Sequence, residues 1–409
     1  MPYTLDEIRA MDQEDPLAHT RSLFDLPEGC YYFCGNSLGA APVTAQQYLF
    51  DAQQQWQSQL IQGWNQGWMD APKRLGNLLA PLAGASQDEV LVCDNLSLNL
   101  YKLLGYITQH QNNSRKVILA EDQGFPSDSY ICQSFCQFSG YEFQTFDPES
   151  ISKSLGSDTA TLVISQVDYR TGQLRDMKTI TRLVECKGGE VIWDLAHSAG
   201  AMPVELNNLG VKYAVGCTYK YLNGGPGSPG FVYVSKVVQN NGWQPLAGWL
   251  GHKQPFAFDQ EYTPSETIST FRTGTHSPLA YSALEASLKL LQKIDLNDVR
   301  EKSLNLSRLF LDGIKEICKQ HGIEDITPKP EQRGSQVALI HNQHGYAMVQ
   351  ALIARGVICD YREPGLMRFG FAPLYLSYED SWNAGREVVE MLNNREYERK
   401  EFQVRQKVT

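Results

Sequence analysis

The sequence predicts an α/β protein, with a mostly parallel sheet in a large domain and a smaller α/β domain at the carboxyl end. Three observations predict it. Between residues 90 and 235, short apolar runs of strand length alternate with stretches of helix length. Parallel strands need crossovers long enough to hold a helix, and those helices cover the sheet on both faces. After about residue 285 a second, shorter mixture of strand and helix patterns begins. Finally, 409 residues are too many for one small core. The expected division is an amino-terminal segment over 1–30 packing with the small domain, a large domain over 31–284 and a small domain over 285–409.

The elements follow in order. Residues 5–11 have helical spacing inside a polar segment. Residues 31–33 read as a short strand, followed by a turn at Gly35-Asn36-Ser37-Leu38-Gly39. Helices are expected over 44–60 and 75–82. Strands are expected over 89–92, 116–120, 142–146, 161–165, 191–193 and 213–219, with helices over 97–109 and 127–139 between them. The run 231–234 follows a Gly/Pro loop too short for a crossover, so it should return antiparallel. Then come helices over 282–293 and 304–318, a strand over 336–340, a helix over 346–355, a strand over 367–369 and a helix over 382–392. The tail, 395–407, is a mixed charge run and reads as a solvated helix end.

Bulk properties exclude several classes. The net charge is −10 and the pI is near 5.4. Nucleic acid as the main partner would need a basic footprint. A small basic pocket for one phosphate stays compatible. No apolar run reaches the length of a membrane span, and the start, Met1 to Glu7, is polar rather than a secretory leader. The nine cysteines read as free thiols in a reducing cytoplasm. Cys30 with Cys34, and Cys132 with Cys136, lack a matching His/Cys pair, so structural thiols are expected and no metal. His341 and His344 fall in a polar turn.

Two strand ends carry the chemistry. The apolar run before Cys217 delivers Lys220 into Asn223-Gly224-Gly225-Pro226-Gly227, and Val191-Ile192-Trp193 delivers Asp194. In open α/β sheets, ligands bind at the carboxyl ends of strands. A lysine amine condenses with an aldehyde, and a carboxylate keeps a pyridinium nitrogen protonated. That pair is the logic of a pyridoxal 5′-phosphate (PLP) site. Two decoys are set aside. Residues 225–230 satisfy G-x-G-x-x-G, but a strand follows instead of the helix a dinucleotide site needs. Residues 35–39 satisfy G-x-S-x-G, but too little chain precedes Ser37 for a hydrolase sheet and oxyanion loop.

Longer stretches resemble one family. They are residues 32–39, Phe125-Pro126-Ser127-Asp128, residues 167–172, Asp194-Leu195-Ala196-His197, Thr218 through Gly227, residues 248–252, Cys359-Asp360 and residues 368–375. In this order they resemble the kynureninases, PLP enzymes of fold type I in the aspartate aminotransferase superfamily. The resemblance implies that Lys220 binds the cofactor aldehyde and that Asp194 pairs with the ring nitrogen, with Asp128 close by and His197 in support. It implies that Phe125 stacks on the ring, and that Leu96, Ser97 and Tyr219 hold the phosphate. Trp249 and Thr275 would reach the phosphate from the second subunit of a homodimer. Arg368 would clamp the substrate carboxylate, with Asn36 also on the substrate side. Trp64 is read either as an aromatic wall of the substrate site or as core packing. Ser97 stands where the family often has threonine, and the segment 274–276 varies where the substrate ring should sit.

The implied reaction is hydrolysis of L-kynurenine, or 3-hydroxykynurenine, to an anthranilate and L-alanine, in tryptophan degradation or NAD biosynthesis. Lys220 would act as general base and Tyr219 as a proton relay. The alternatives are another fold type I enzyme, an aminotransferase or a cysteine desulfurase, and more distantly a serine hydrolase using Ser37.

Overall fold

The computed structural model describes residues 2–111, 114–239 and 242–406. Met1 and Lys407, which bound the polar start and the charged tail, lie outside the described residues. The main strands are β1 (Val90–Val92), β2 (Val117–Glu121), β3 (Glu142–Phe146), β4 (Thr159–Ser165), β5 (Glu190–Asp194), β6 (Tyr213–Gly216) and β7 (Phe231–Val234). They form one seven-stranded sheet in the order β1-β7-β6-β5-β4-β2-β3. The pairs from β6 through β3 are parallel. β7 alone runs against its neighbours, as its short connecting loop requires.

Strand residues divide by parity between two cores. Leu119, Leu162, Ile164, Val191, Trp193 and Ala214 join one apolar cluster. Their neighbours Ile118, Val163, Ile192 and Val215 join another on the opposite face. Alternate side chains of a strand point to opposite faces, so an apolar run of this kind feeds two helix layers at once. Helices α1 (Leu5–Glu14), α2 (Ala45–Gln59), α3 (Ala71–Leu79), α4 (Leu96–Thr108), α5 (Pro126–Ser139), α6 (Met177–Cys186) and α7 (Pro278–Leu291) precede the carboxyl-terminal part. Leu100, Leu103 and Leu104 of α4, with Cys132 and Phe135 of α5, close the second face. Met177 and Val184 of α6 and Leu284 and Leu288 of α7 close the first.

The carboxyl-terminal part holds a second sheet of β8 (Glu324–Asp325), β9 (Gln336–Ile340), β10 (Asp360–Arg362) and β11 (Leu366–Gly370), in the antiparallel order β8-β9-β11-β10. Helices α8 (Leu296–Gln320), α9 (Gly345–Ala354) and α10 (Tyr378–Asn393) accompany it. Val337, Leu339, Met367 and Phe369 belong to the same apolar cluster as Trp193. The two sheets therefore share one face of core. Helix α1 sits at the start of α10: the Asp12 carboxylate accepts from the amides of Tyr378 (2.7 Å) and Glu379 (2.9 Å). A carboxylate there satisfies free first-turn N–H groups and complements the helix dipole.

Several boundaries differ from the expected ones, and three differences stand out. The strand expected to reach residue 219 ends at Gly216, because the Thr218 carbonyl accepts the Gly224 amide (2.8 Å) and turns the chain. Helix α8 starts eight residues before the expected 304, capped by Asp295, whose side chain accepts from Asn297 N–H (2.8 Å). The tail forms two short 3-10 turns, Glu396–Glu398 and Lys400–Gln403, rather than a helix end.

Candidate active site

The site lies at the carboxyl edge of β4, β5 and β6. Ser165 and Asp194 are register partners at the ends of β4 and β5. After Asp194 the chain turns instead of starting a helix, and Asp194 Oδ1 accepts the Ala196 amide at 2.8 Å. The turn brings His197 Nε2 to 2.9 Å from Lys220 Nζ. Lys220 is held from behind by the turn at 35–39: the Gly39 amide donates to the Tyr219 carbonyl at 2.8 Å. A Cβ on Gly39 would stand 2.3 Å from the Lys220 carbonyl oxygen, so only glycine permits this approach. The G-x-S-x-G stretch is thus a backstop for the lysine loop. Ser37 Oγ donates to Asp360 Oδ2 at 2.5 Å and accepts from Arg368 at 3.2 Å, so it has no basic partner to activate it.

Acids and bases here are strongly perturbed. Burial, and then the facing Asp194, push the Asp128 carboxyl well above the usual carboxylate range. Burial raises Asp194 as well, with the Lys220 amine pulling it back. Asp128 Oδ1 is buried without a hydrogen-bond partner. Burial, with the Lys220, Arg368 and Arg362 charges, drives His197 well below its ordinary value, so its ring is neutral. Burial keeps the Tyr219 phenol protonated. Behind the pair, Glu121 is pushed up to about 7 by burial against the pull of Arg175. Arg175 joins Glu121 in a buried ion pair and donates to the Ser165 carbonyl at 3.4 Å.

Around Lys220 stand two rings. Its Nζ lies 5.7 Å from the Phe125 ring centre and 6.0 Å from that of Tyr219. Tyr169 meets Phe125 edge-on at 5.3 Å. Leu96 and Ser97 open α4, where first-turn amides have no intrahelical acceptor and favour an anion. The glycine loop after Lys220 runs back to them: a Cβ on Gly230 would stand 2.8 Å from the Leu96 nitrogen.

Arg368, on β11, is almost fully buried, at 2% exposed. Its fork does not stand open for a ligand, as a carboxylate clamp would. Nε and Nη2 donate to Asp360 at 2.7 and 2.5 Å, and Nη1 donates to the Tyr169 carbonyl at 2.7 Å. The reason is register, since Asp360 of β10 is the direct cross-strand partner of Arg368. Asn36 donates to Gln336 Oε1 at 2.9 Å, and Gln336 in turn donates to the Tyr169 and Arg170 carbonyls. Asn36 Oδ1 is buried without a partner.

Other expected site residues have their contacts elsewhere. Trp64 meets Trp68 and His276 edge-on at 5.6 and 5.5 Å. Trp249 stacks with Phe258 at 6.3 Å. Thr275 lines a cleft with Arg272, Asp94 and Pro72 that also takes in Gly227 and Pro229 of the loop after Lys220. None of these described contacts reaches Lys220 itself. Conversely, sequence reading gave no role to Ser165, Tyr169, Asp360, Arg362 or the Glu121–Arg175 pair. Ser165 had a usable signal, since it ends an apolar run exactly as Asp194 does.

The residues present fit PLP. Two buried carboxyls, one with an orphan oxygen, require a proton donor between them, and a protonated ring nitrogen is one. A buried lysine beside a neutral imidazole, a flanking ring and an anion-ready helix start supply the remaining contacts.

Known proteins agree with this geometry. Residues 299–388 match the family model for the kynureninase C-terminal domain. A kynureninase of Burkholderia mallei (strain SAVP1) is 44% identical over 417 residues, covering 99% of this chain and 100% of that one. The chain belongs to the kynureninase family. A second relative, the kynureninase of Pseudomonas fluorescens, is 43% identical over 418 residues with the same coverage. Solved structures share the fold of this kynureninase-family chain at low identity. A cysteine desulfurase of Escherichia coli aligns with TM-score 0.76 at 17% identity, covering 92% of this chain and 98% of that one. A C-DES mutant with glycine covalently linked to its PLP cofactor aligns with TM-score 0.78 at 19% identity, covering 90% and 98%.

Proposed function

We propose that this chain is a PLP-dependent hydrolase that cleaves the Cβ–Cγ bond of L-kynurenine, or of its 3-hydroxy analogue, releasing an anthranilate and L-alanine. The observation that carries the reading is Lys220, buried beside neutral His197 and within reach of the Asp128–Asp194 pair. When bound, PLP supplies an electron sink for the pair left by a departing Cα proton. Asp194 and Asp128 would keep the ring nitrogen protonated. Leu96 and Ser97 would offer amides to the phosphate, and Tyr219 its phenol. Phe125 would lie against the ring. With PLP bound, Lys220 would take the Cα proton as general base and return protons during turnover, and neutral His197 would take no charge from it. The Arg368–Asp360 pair orients the substrate carboxylate end. Water added to the γ-carbonyl would let the Cβ–Cγ bond break, releasing the acyl part as the anthranilate while Cβ gains a proton to become the methyl of L-alanine.

The chain works as a homodimer in the cytoplasm, with an amino-terminal segment, a large domain and a small domain; helix α7 (Pro278–Leu291) runs through the expected boundary at 284. Two exposed apolar faces support the dimer. One carries Trp56, Leu60 and Ile61 beside Trp64, and the other carries Trp249, Phe256 and Phe258. Solvated patches of this kind mark interaction surfaces. Burying them against a second copy would bring Trp249, Thr275 and Trp64 to that copy's site. The nine cysteines are all free, which suits a reducing compartment. Among the described residues, no helix is long and apolar enough to cross a membrane.

The test is direct. Purified protein should absorb in the visible, bleach with borohydride and release fluorescent anthranilate from L-kynurenine. A colourless protein that hydrolyses esters through Ser37 would overturn the reading.

A further inference from the structure

We propose that Arg362 is a second substrate-binding arginine, which takes the α-carboxylate of the amino-acid substrate together with Arg368. This rests on the reading of the pocket as an amino-acid site. It begins with strand geometry. Asp360 and Arg362 are two apart on β10, so their side chains share a face. Asp360 lies opposite Arg368 on β11. The hairpin thus gathers two guanidinium groups around one carboxylate.

Counting donors shows why Arg368 alone is insufficient. A guanidinium has five N–H groups. Arg368 places two on Asp360, one on the Tyr169 carbonyl and one on Ser37 Oγ at 3.2 Å. One N–H remains, while bidentate recognition of a carboxylate needs two in parallel. Arg362 is differently engaged. Its Nη2 lies 3.1 Å from Asp360 Oδ2 and 3.5 Å from Ser37 Oγ, and its Nη1 donates to the Tyr361 carbonyl at 2.7 Å. Its side chain is 37% exposed, against 2% for Arg368. Arg362 therefore keeps free donors on the open side of the cluster.

Charge points the same way. The cluster holds two cations and one anion, a net single positive charge in a largely buried place. Neighbouring acids do not neutralise it. Asp168 Oδ1 accepts from the Arg170 and Thr171 amides and the Thr171 hydroxyl, and among the described residues Asp168 forms no ion pair with either arginine. Glu363 bonds the Tyr361 hydroxyl and pairs with Arg405. His197 is neutral. The excess charge therefore sits on the partly exposed Arg362, where an incoming carboxylate can reach and balance it. The position also fits. Tyr169 links Arg368 to Phe125, and Phe125 borders Lys220. Both arginine charges also act on His197, which bonds Lys220, so a carboxylate held there lies on the lysine's side of the pocket.

The experiment uses PLP-loaded wild type, Arg362→Gln and Arg362→Lys, with binding read from the visible spectrum. Two ligand pairs differ only in the carboxylate: L-kynurenine against kynuramine, and L-alanine against ethylamine. Arg362→Gln should weaken both carboxylate ligands ~10- to 100-fold while the amines change less than ~2-fold. The cofactor band should not change, and Arg362→Lys should recover part of the loss. Equal weakening of acids and amines, or no weakening of either, would overturn the proposal. If Arg362→Gln fails to fold, Arg362→Lys carries the same comparison, because it keeps the charge but lacks the fork. The alanine pair stays informative even if wild type releases no anthranilate, so the two readings fail separately.

Discussion

Lys220 and Arg368 are both buried cations, and the chain treats them oppositely. Lys220 arrives on a loop past the end of β6 and finds a neutral imidazole at 2.9 Å. Its carboxylate neighbours are raised by burial, and one keeps an orphan oxygen. Arg368 stands inside a strand and spends four N–H groups on groups of its own chain. One region is left open for a ligand. The other is a nearly saturated pair with one N–H left for the ligand. The lesson is that a strand end presents chemistry, whereas a strand interior saturates it.

Removing each cation's support should expose this contrast. Lys220→Ala should lower kynurenine hydrolysis by ~10⁴-fold or more while thermal unfolding of the cofactor-free protein barely moves. A large loss of stability would erase the contrast. Asp360→Asn should do the reverse. By leaving the Arg368 charge under-compensated it should cost ~3 kcal/mol, read as a lower urea midpoint. An unchanged midpoint would mean that the pair is not structural.

His197 gives a pH signature. Its folded value lies well below 6.5, the value it regains on unfolding. Below about 6.5 the unfolded chain binds the extra proton, so this stability is intact above that pH and lost as pH falls. His197→Asn should reduce the slope of stability against pH by up to ~1.4 kcal/mol per unit between about pH 5.5 and 6.5. An unchanged slope would place the imidazole's proton elsewhere. Ser165→Ala removes only a 3.5 Å hydroxyl contact to Asp194. It should cost less than ~1.5 kcal/mol and change kcat a few-fold. A loss as large as that of Lys220→Ala would make Ser165 part of the chemistry.

The same contrast explains what could be read from the chain. Asp194 and Lys220 were legible because each follows an apolar run, and burial of the run fixes where its end lies. The parallel sheet was legible for the same reason, since Val191-Ile192-Trp193 must satisfy two cores. Asp360 had no assigned role because its partner depends on hairpin register. Glu363-Pro364-Gly365 is a turn signal, and centring a hairpin there pairs 362 with 366 and 360 with 368. Trp64, Trp249 and Thr275 differ again. Their roles were implied by resemblance, and in one chain Trp64 meets Trp68 and His276, Trp249 meets Phe256 and Phe258, and Thr275 lines a separate cleft, none of them against the lysine.

The backstop of Lys220 also has a timetable. Residues 31–39 leave the ribosome early, yet Tyr31 and Phe33 donate to the carbonyls of Gly356 and Ile358, and Phe33 accepts from Gly370. At ribosomal speeds of roughly 5–20 residues per second, those partners emerge ~15–70 s later. The oldest stretch of the nascent chain must therefore wait, unpaired, for some of the youngest. The strand beside the lysine's backstop is thus closed late, only after synthesis of the hairpin that carries Arg368.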